Sequence, residues 1–172
     1  IFSDLNNLTD ITMDVRFSSL LGYTHDEVRS CFPQRLAALG QSLSADVDGA
    51  FARLVDMYDG YCFDRSMTRV FNPVSLGRCL DSADIRSYWF ETGTPGWLMS
   101  YAKKGPMEVE SVEVSEEQLG TFEPADPFMS AVLFQTGYLT IRGYEERGRR
   151  RSYTLGFPNH EVEDGFNAWL AD

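Results

Sequence analysis

The hydrophobic period of this chain switches from helical to alternating at Gly137. Before that residue, apolar side chains recur at helical spacing. After it, Tyr138-Leu139-Thr140-Ile141 alternate with period 2. Tyr153, Leu155 and Phe157 alternate again beyond a polar stretch from Glu145 to Arg151. A helical repeat cannot serve as a strand, nor the reverse, because the two periods send side chains to different faces. The pattern predicts a mainly α fold with one small β-hairpin, from about Tyr138 to Phe157, whose long loop is the polar stretch.

The helices mark their own ends. Thr24 followed by Glu27 is a capping box, with Tyr23 and Val28 placed as a hydrophobic staple. That helix carries Val28, Cys31 and Phe32 until Pro33 interrupts or restarts it. A second helix begins near Ser44. Its stripe is Val47, Ala50, Phe51, Leu54, Val55 and Tyr58, and Asp59-Gly60 stops it. Asn72-Pro73 and Thr94-Pro95 each look like a cap followed by proline at the first helical position. Tyr88-Trp89-Phe90, with Trp97, reads as a core anchor.

Pro106 and Glu108 to Glu113 read as a linker. Ser115-Glu116-Glu117-Gln118, flanked by Val114 and Leu119, is a second capping box with its staple. Asp126-Pro127 opens a helix bearing Met129, Val132, Leu133 and Thr136. Pro158-Asn159 caps a last one bearing Val162, Phe166, Trp169 and Leu170. Two regions follow: a helical one over 1–110 and a winged-helix-like module over 111–172, with a soft boundary near 105–115. Helices, hairpin and closing helix in that order are the winged-helix sequence of elements.

Composition removes several functions. No apolar run reaches the ~18 residues of a spanning helix, so no membrane partner is expected. Cys31, Cys62 and Cys79 are odd in number and far apart. They fit neither a disulfide framework nor a zinc site, and point to a reducing cytoplasm. The net charge of −11 opposes a surface devoted to nucleic acid or an anionic membrane. Yet five Arg and two Glu lie between Arg142 and Arg151, and the acidic weight falls instead on Glu108 to Glu123. Lysine is confined to Lys103 and Lys104. There is no G-x-x-x-x-G-K-[ST] loop to cradle phosphates, no Glu-x-Lys nuclease core and no G-x-S-x-G elbow. His25 and His160 each fall in the first turn of a helix, at exposed capping positions; a triad would need one of them oriented by a carboxylate beside a nucleophile. No catalytic residue, metal ligand or cofactor site is expected in this chain.

Six stretches in register carry a resemblance. They are Leu21-Gly22-Tyr23-Thr24, Tyr58-Asp59-Gly60-Tyr61-Cys62-Phe63, Phe71-Asn72-Pro73, Tyr88 to Pro95, Leu133 to Ile141 and Gly156 to Val162, after an opening Ile1-Phe2-Ser3-Asp4-Leu5-Asn6-Asn7-Leu8-Thr9-Asp10-Ile11. The whole chain, in order, resembles the predicted AAA-ATPase-like proteins of gut Bacteroidetes that typically carry a C-terminal PD-(D/E)XK nuclease-like domain. The resemblance implies a segment lying after the ATPase core: a helical lid, then the winged-helix-like part. The start at Ile1 suits a fragment or processed product. In that family the P-loop and the magnesium-binding motif precede the position of Ile1, and the nuclease-like domain follows Asp172. ATP and Mg²⁺ would belong to the core, and the core and nuclease-like domain would be this segment's partners.

Three functions compete at this point. One is a regulatory, non-catalytic lid packing over nucleotide held by the core, for which Arg16, Arg35, Arg53 and Arg78 are phosphate-reaching candidates by residue type alone. A second is nucleic-acid binding through the basic wing, Arg147, Arg149, Arg150 and Arg151, expected to be exposed and largely unpaired. The Pro127–Thr136 helix carries no Lys or Arg for base readout. The third is a protein–protein docking module.

Overall fold

The computed structural model describes residues 11–89, 109, 111–120, 129–148 and 150–171. Thr94-Pro95, Trp97, Pro106, Glu108 and Asp126-Pro127 lie outside these residues, as do the side chains of Trp169 and Leu170. Among the described residues no helix is long and apolar enough to cross a membrane.

The caps act where the sequence puts them. Helix α1 (His25–Cys31) starts at Thr24, whose hydroxyl accepts the Glu27 N–H while the Glu27 carboxylate accepts the Thr24 N–H at 2.8 Å. Pro33 restarts the chain as α2 (Pro33–Ser42) after a joint at Phe32. Helix α3 (Val47–Tyr58) begins three residues later than Ser44, which adopts a left-handed φ of 51°. Its cap is Asp46, whose carboxylate accepts the Gly49 N–H at 2.7 Å. Asn72 caps α4 (Pro73–Ser82) by accepting from Val74 and Ser75.

The sheet differs from expectation in two ways. It has three antiparallel strands in the order β1-β3-β2: β1 (Val112–Ser115), β2 (Thr140–Arg147) and β3 (Arg150–Gly156). Strand β1 occupies the end of the stretch expected to be linker; Val114 is buried opposite Tyr153 in a ladder that pairs Val112 with Leu155. The long polar loop is absent. The β2–β3 ladder runs out to Arg147 opposite Arg150, so charge at the tip does not interrupt pairing. Polar residues on the solvent side of a two-faced sheet are compatible with a strand, and here they mimic a loop.

Ser115 and Gln118 do form their capping box, at the head of α5 (Glu116–Gly120). Helix α6 (Met129–Gln135) ends at Gly137, φ 81°, with Tyr138 N–H returning to the Leu133 carbonyl at 2.9 Å. Helix α7 (His160–Ala171) is capped by Asn159, whose side-chain oxygen accepts from Val162.

Two hydrophobic clusters result. One fills the helical region with Val28, Leu36, Phe51, Leu54, Tyr58, Phe71 and Leu76. The other lies under the sheet with Val132, Leu133, Ile141, Leu155, Val162 and Phe166, and it also contains Tyr61, Cys62 and Val70. Packing therefore crosses the 105–115 boundary. Thr140 Oγ1 accepts from the Cys62 N–H at 2.6 Å and donates to its carbonyl at 2.8 Å. Burial pushes the Cys62 thiol up, and that of Cys79 up to about 11, so both are inert packing groups.

Candidate functional site

Seven large hydrophobic side chains are exposed among the described residues, and five of them stand between residues 11 and 21: Ile11, Val15, Phe17, Leu20 and Leu21. Leu20 and Leu21 are 64% and 67% exposed. The segment is nonetheless ordered by local chemistry. Asp14 caps a single 3₁₀ turn, Val15–Phe17, and the Arg16 guanidinium grips both Asp14 oxygens. Those hydrogen bonds hold the Asp14 carboxyl down to about 2. Arg16 also lies over the Phe17 ring. At the far end Gly22 passes so close to Val70 and Phe71 that a Cβ would stand 2.6 Å from the Phe71 carbonyl oxygen. The next residue, Tyr23, exchanges both backbone hydrogen bonds with Phe71. The apolar edge is thus pinned to the helical cluster at one end, packs Met13 against the sheet-side cluster, and turns Ile11, Val15, Phe17, Leu20 and Leu21 to solvent.

The basic hairpin is the second candidate. Arg147 and Arg150 face each other across a turn at Gly148, and Arg149 lies outside the described residues. The expected lack of partners needs correction. Arg147 pairs with Glu145 at 2.9 Å, and Arg151 with Glu116 at 3.2 Å and Glu146 at 3.8 Å. The three-stranded sheet causes this, since β1 delivers Glu116 to the flank of β3. The groove beside the tip is lined by Glu116, Glu117 and Glu146 as well as Arg150 and Arg151.

Arg16, Arg35, Arg53 and Arg78 sit on four separate elements, and neither described cleft is lined by any of them. Arg16 is held by Asp14, and Arg35 by Asp81 at 3.0 Å.

His25 is not merely a capping residue. Its Nε2 lies 2.9 Å from Asp59 Oδ2, with the ring edge-on to Phe51. Asp59 is 3% exposed, whereas the imidazole remains 45% exposed. No hydroxyl or thiol is hydrogen-bonded to this imidazole among the described residues. Asp59-Gly60 had a legible role only as a helix stop; nothing in the spacing tied it to a residue thirty-four positions earlier. No cluster of three or more His, Cys, Asp or Glu able to hold a metal occurs among the described residues.

The chain is 34% identical, over 173 residues and 99% of its length, to an "Uncharacterized protein in vnfD 5'region" of Azotobacter chroococcum mcd 1. It spans 31% of that relative. No family model matches the chain. No solved structure matches it.

Proposed function

We propose that this chain is a non-catalytic docking segment of a larger, nucleotide-driven protein of the AAA-ATPase-like kind. It packs on a neighbouring nucleotide-binding core through the edge from Ile11 to Leu21. ATP and Mg²⁺ belong to that core, and the protein works in the cytoplasm. The observation that carries the proposal is the concentration of exposed apolar side chains in one pinned segment. A large exposed apolar patch on a folded chain marks a surface that another surface covers. The resemblance supports the choice of occupant. The similar Azotobacter protein, of which the match spans 31%, supports placing such a region inside a longer polypeptide.

The part after 111 is read as winged-helix-like, with α6, the β2–β3 hairpin and α7 as its elements. Ala131, Val132, Leu133 and Phe134 of α6 are all buried, which suits a docking module better than a groove-reading helix. The carboxylates beside the hairpin tip weigh against phosphate contact there.

Leu20→Asp with Leu21→Asp tests the proposal in the longer protein. Burying a leucine side chain is worth about 1.5–3 kcal/mol. The double variant should split one calorimetric transition into two and leave the melting of the isolated chain unchanged. Unchanged melting of both would contradict docking through this edge.

A further inference from the structure

A cleft of about 260 Å³ opens between the end of α3 and the start of α7, away from both surfaces described above. A backbone contact fixes its floor. Gly60, φ 109°, runs so close to Pro158 that a Cβ would stand 2.1 Å from the Pro158 carbonyl oxygen. Two arginines line the cleft from separate elements. Arg69 comes from the segment leading into the Tyr61–Val70 bridge. Arg142 is the extra residue of a β-bulge, between Ile141 opposite Leu155 and Gly143 opposite Thr154. A bulge re-aims the side chain it frees. Arg142 spans Gly156 with its stem and donates from Nη1 to the Phe157 and Pro158 carbonyls at 3.4 and 3.3 Å.

Each acid of the cleft has one oxygen beside an imidazole, and Asp59 Oδ1 is buried with no hydrogen-bond partner among the described residues. Asp59 holds His25, and Asp56 and Glu163 flank His160 at 3.4 and 3.6 Å. The arginines are not so matched. Among the described residues neither Arg69 nor Arg142 has a carboxylate within ion-pair distance, although three line the same cleft. A guanidinium stays charged and presents a planar fork that fits two oxygens of one acid group. We propose that this cleft binds the oxyanion, phosphate or carboxylate, of a small ligand, with Arg69 and Arg142 as its two cationic contacts. The volume lies just below that of pockets for drug-sized molecules, which suits a small one. The proposal is independent of docking through the apolar edge.

The test is a titration of the isotopically labelled 172-residue chain, followed by NMR at constant ionic strength, with inorganic phosphate and separately with acetate. Saturable shifts of the Arg69 and Arg142 Nε–H signals are expected, with a Kd in the millimolar range or tighter. Tighter phosphate binding assigns a phosphate ligand, and tighter acetate binding a carboxylate. Arg69→Gln should weaken binding about tenfold, a loss of one charge-assisted contact. Arg150→Ala, at the hairpin tip, should not. Arg142→Gln should match Arg69→Gln; if it unfolds the chain, Arg69→Gln carries the test alone. Unsaturated, linear shifts with both anions, or wild-type affinity in Arg69→Gln, would overturn the proposal.

Discussion

Glu161 holds Tyr88 from inside the molecule: its Oε1 accepts the Tyr88 backbone N–H at 2.6 Å, and that of Trp89 at 2.9 Å. Glu161 is fully buried, and its Oε2 has no hydrogen-bond partner among the described residues. The bond fastens the segment after α4 to α7, across 73 residues of sequence. Burial pushes the Glu161 carboxyl above its ordinary value of 4.5, against the backbone donors that favour its charged form.

Glu161 should therefore make stability fall as pH rises from the ordinary carboxylate range. The unfolded chain ionises first, near 4.5, and the folded chain only at its raised value, so the loss accrues between the two and is constant above. Glu161→Gln keeps an acceptor for both N–H groups and removes this dependence. Denaturant unfolding of wild type against the variant should show the difference growing in the variant's favour from mildly acid to neutral pH. A difference constant with pH would refute it. Glu161→Ala, which orphans one buried and one part-buried donor, should cost about 2–4 kcal/mol.

The two histidines should behave differently. His25→Ala leaves the buried Asp59 Oδ2 without its hydrogen-bond partner and should cost about 1–3 kcal/mol, as an unsatisfied buried acceptor does. His160→Ala loses only long contacts to exposed acids and should cost under ~1 kcal/mol. Equal effects in urea unfolding would mean that the His25–Asp59 contact is not energetically special.

Gly60→Ala combines a left-handed φ with a Cβ driven into the Pro158 carbonyl. A cost of about 3 kcal/mol is expected from strain and overpacking together. For a chain of this size that lowers Tm by roughly 6–12 °C. A change of a degree or two would show that the Gly60–Pro158 approach relaxes freely.

These residues also show what was legible in advance. Caps at Thr24, Asn72, Ser115 and Asn159 could be read directly, because capping depends on residues two or three apart. The hairpin was legible from its alternation, but its length was not: exposed strand positions tolerate the Arg and Glu that also fill loops. Strand β1 was missed because Val112–Ser115 is short and acquires its partner only from β3, about forty residues on. The Asp59, Glu161 and Arg142 contacts escaped for the same reason. Each is set by tertiary placement, and no local pattern encodes it. The apolar run at Leu20-Leu21 was visible as letters, yet only accessibility separates an unpartnered edge from core.

Changing Arg147, Arg149, Arg150 and Arg151 together to Ala should alter stability little. The described pairs are exposed, and such pairs contribute roughly 0–1 kcal/mol each. Unfolding of the chain would instead make the Arg151–Glu116 contact a structural clasp between β3 and α5. Any duplex DNA affinity that survives the change with its salt dependence intact does not come from the hairpin.

Backbone amide hydrogen exchange of residues 11–21 tests docking most directly, measured in the isolated chain and in the longer protein with nucleotide bound. A covered edge should gain protection of about a hundredfold or more, the equivalent of some 2.7 kcal/mol of added local stability. Identical exchange in the two, with the rest of the chain equally protected, would mean that Leu20 and Leu21 face solvent in both and that this edge docks on nothing.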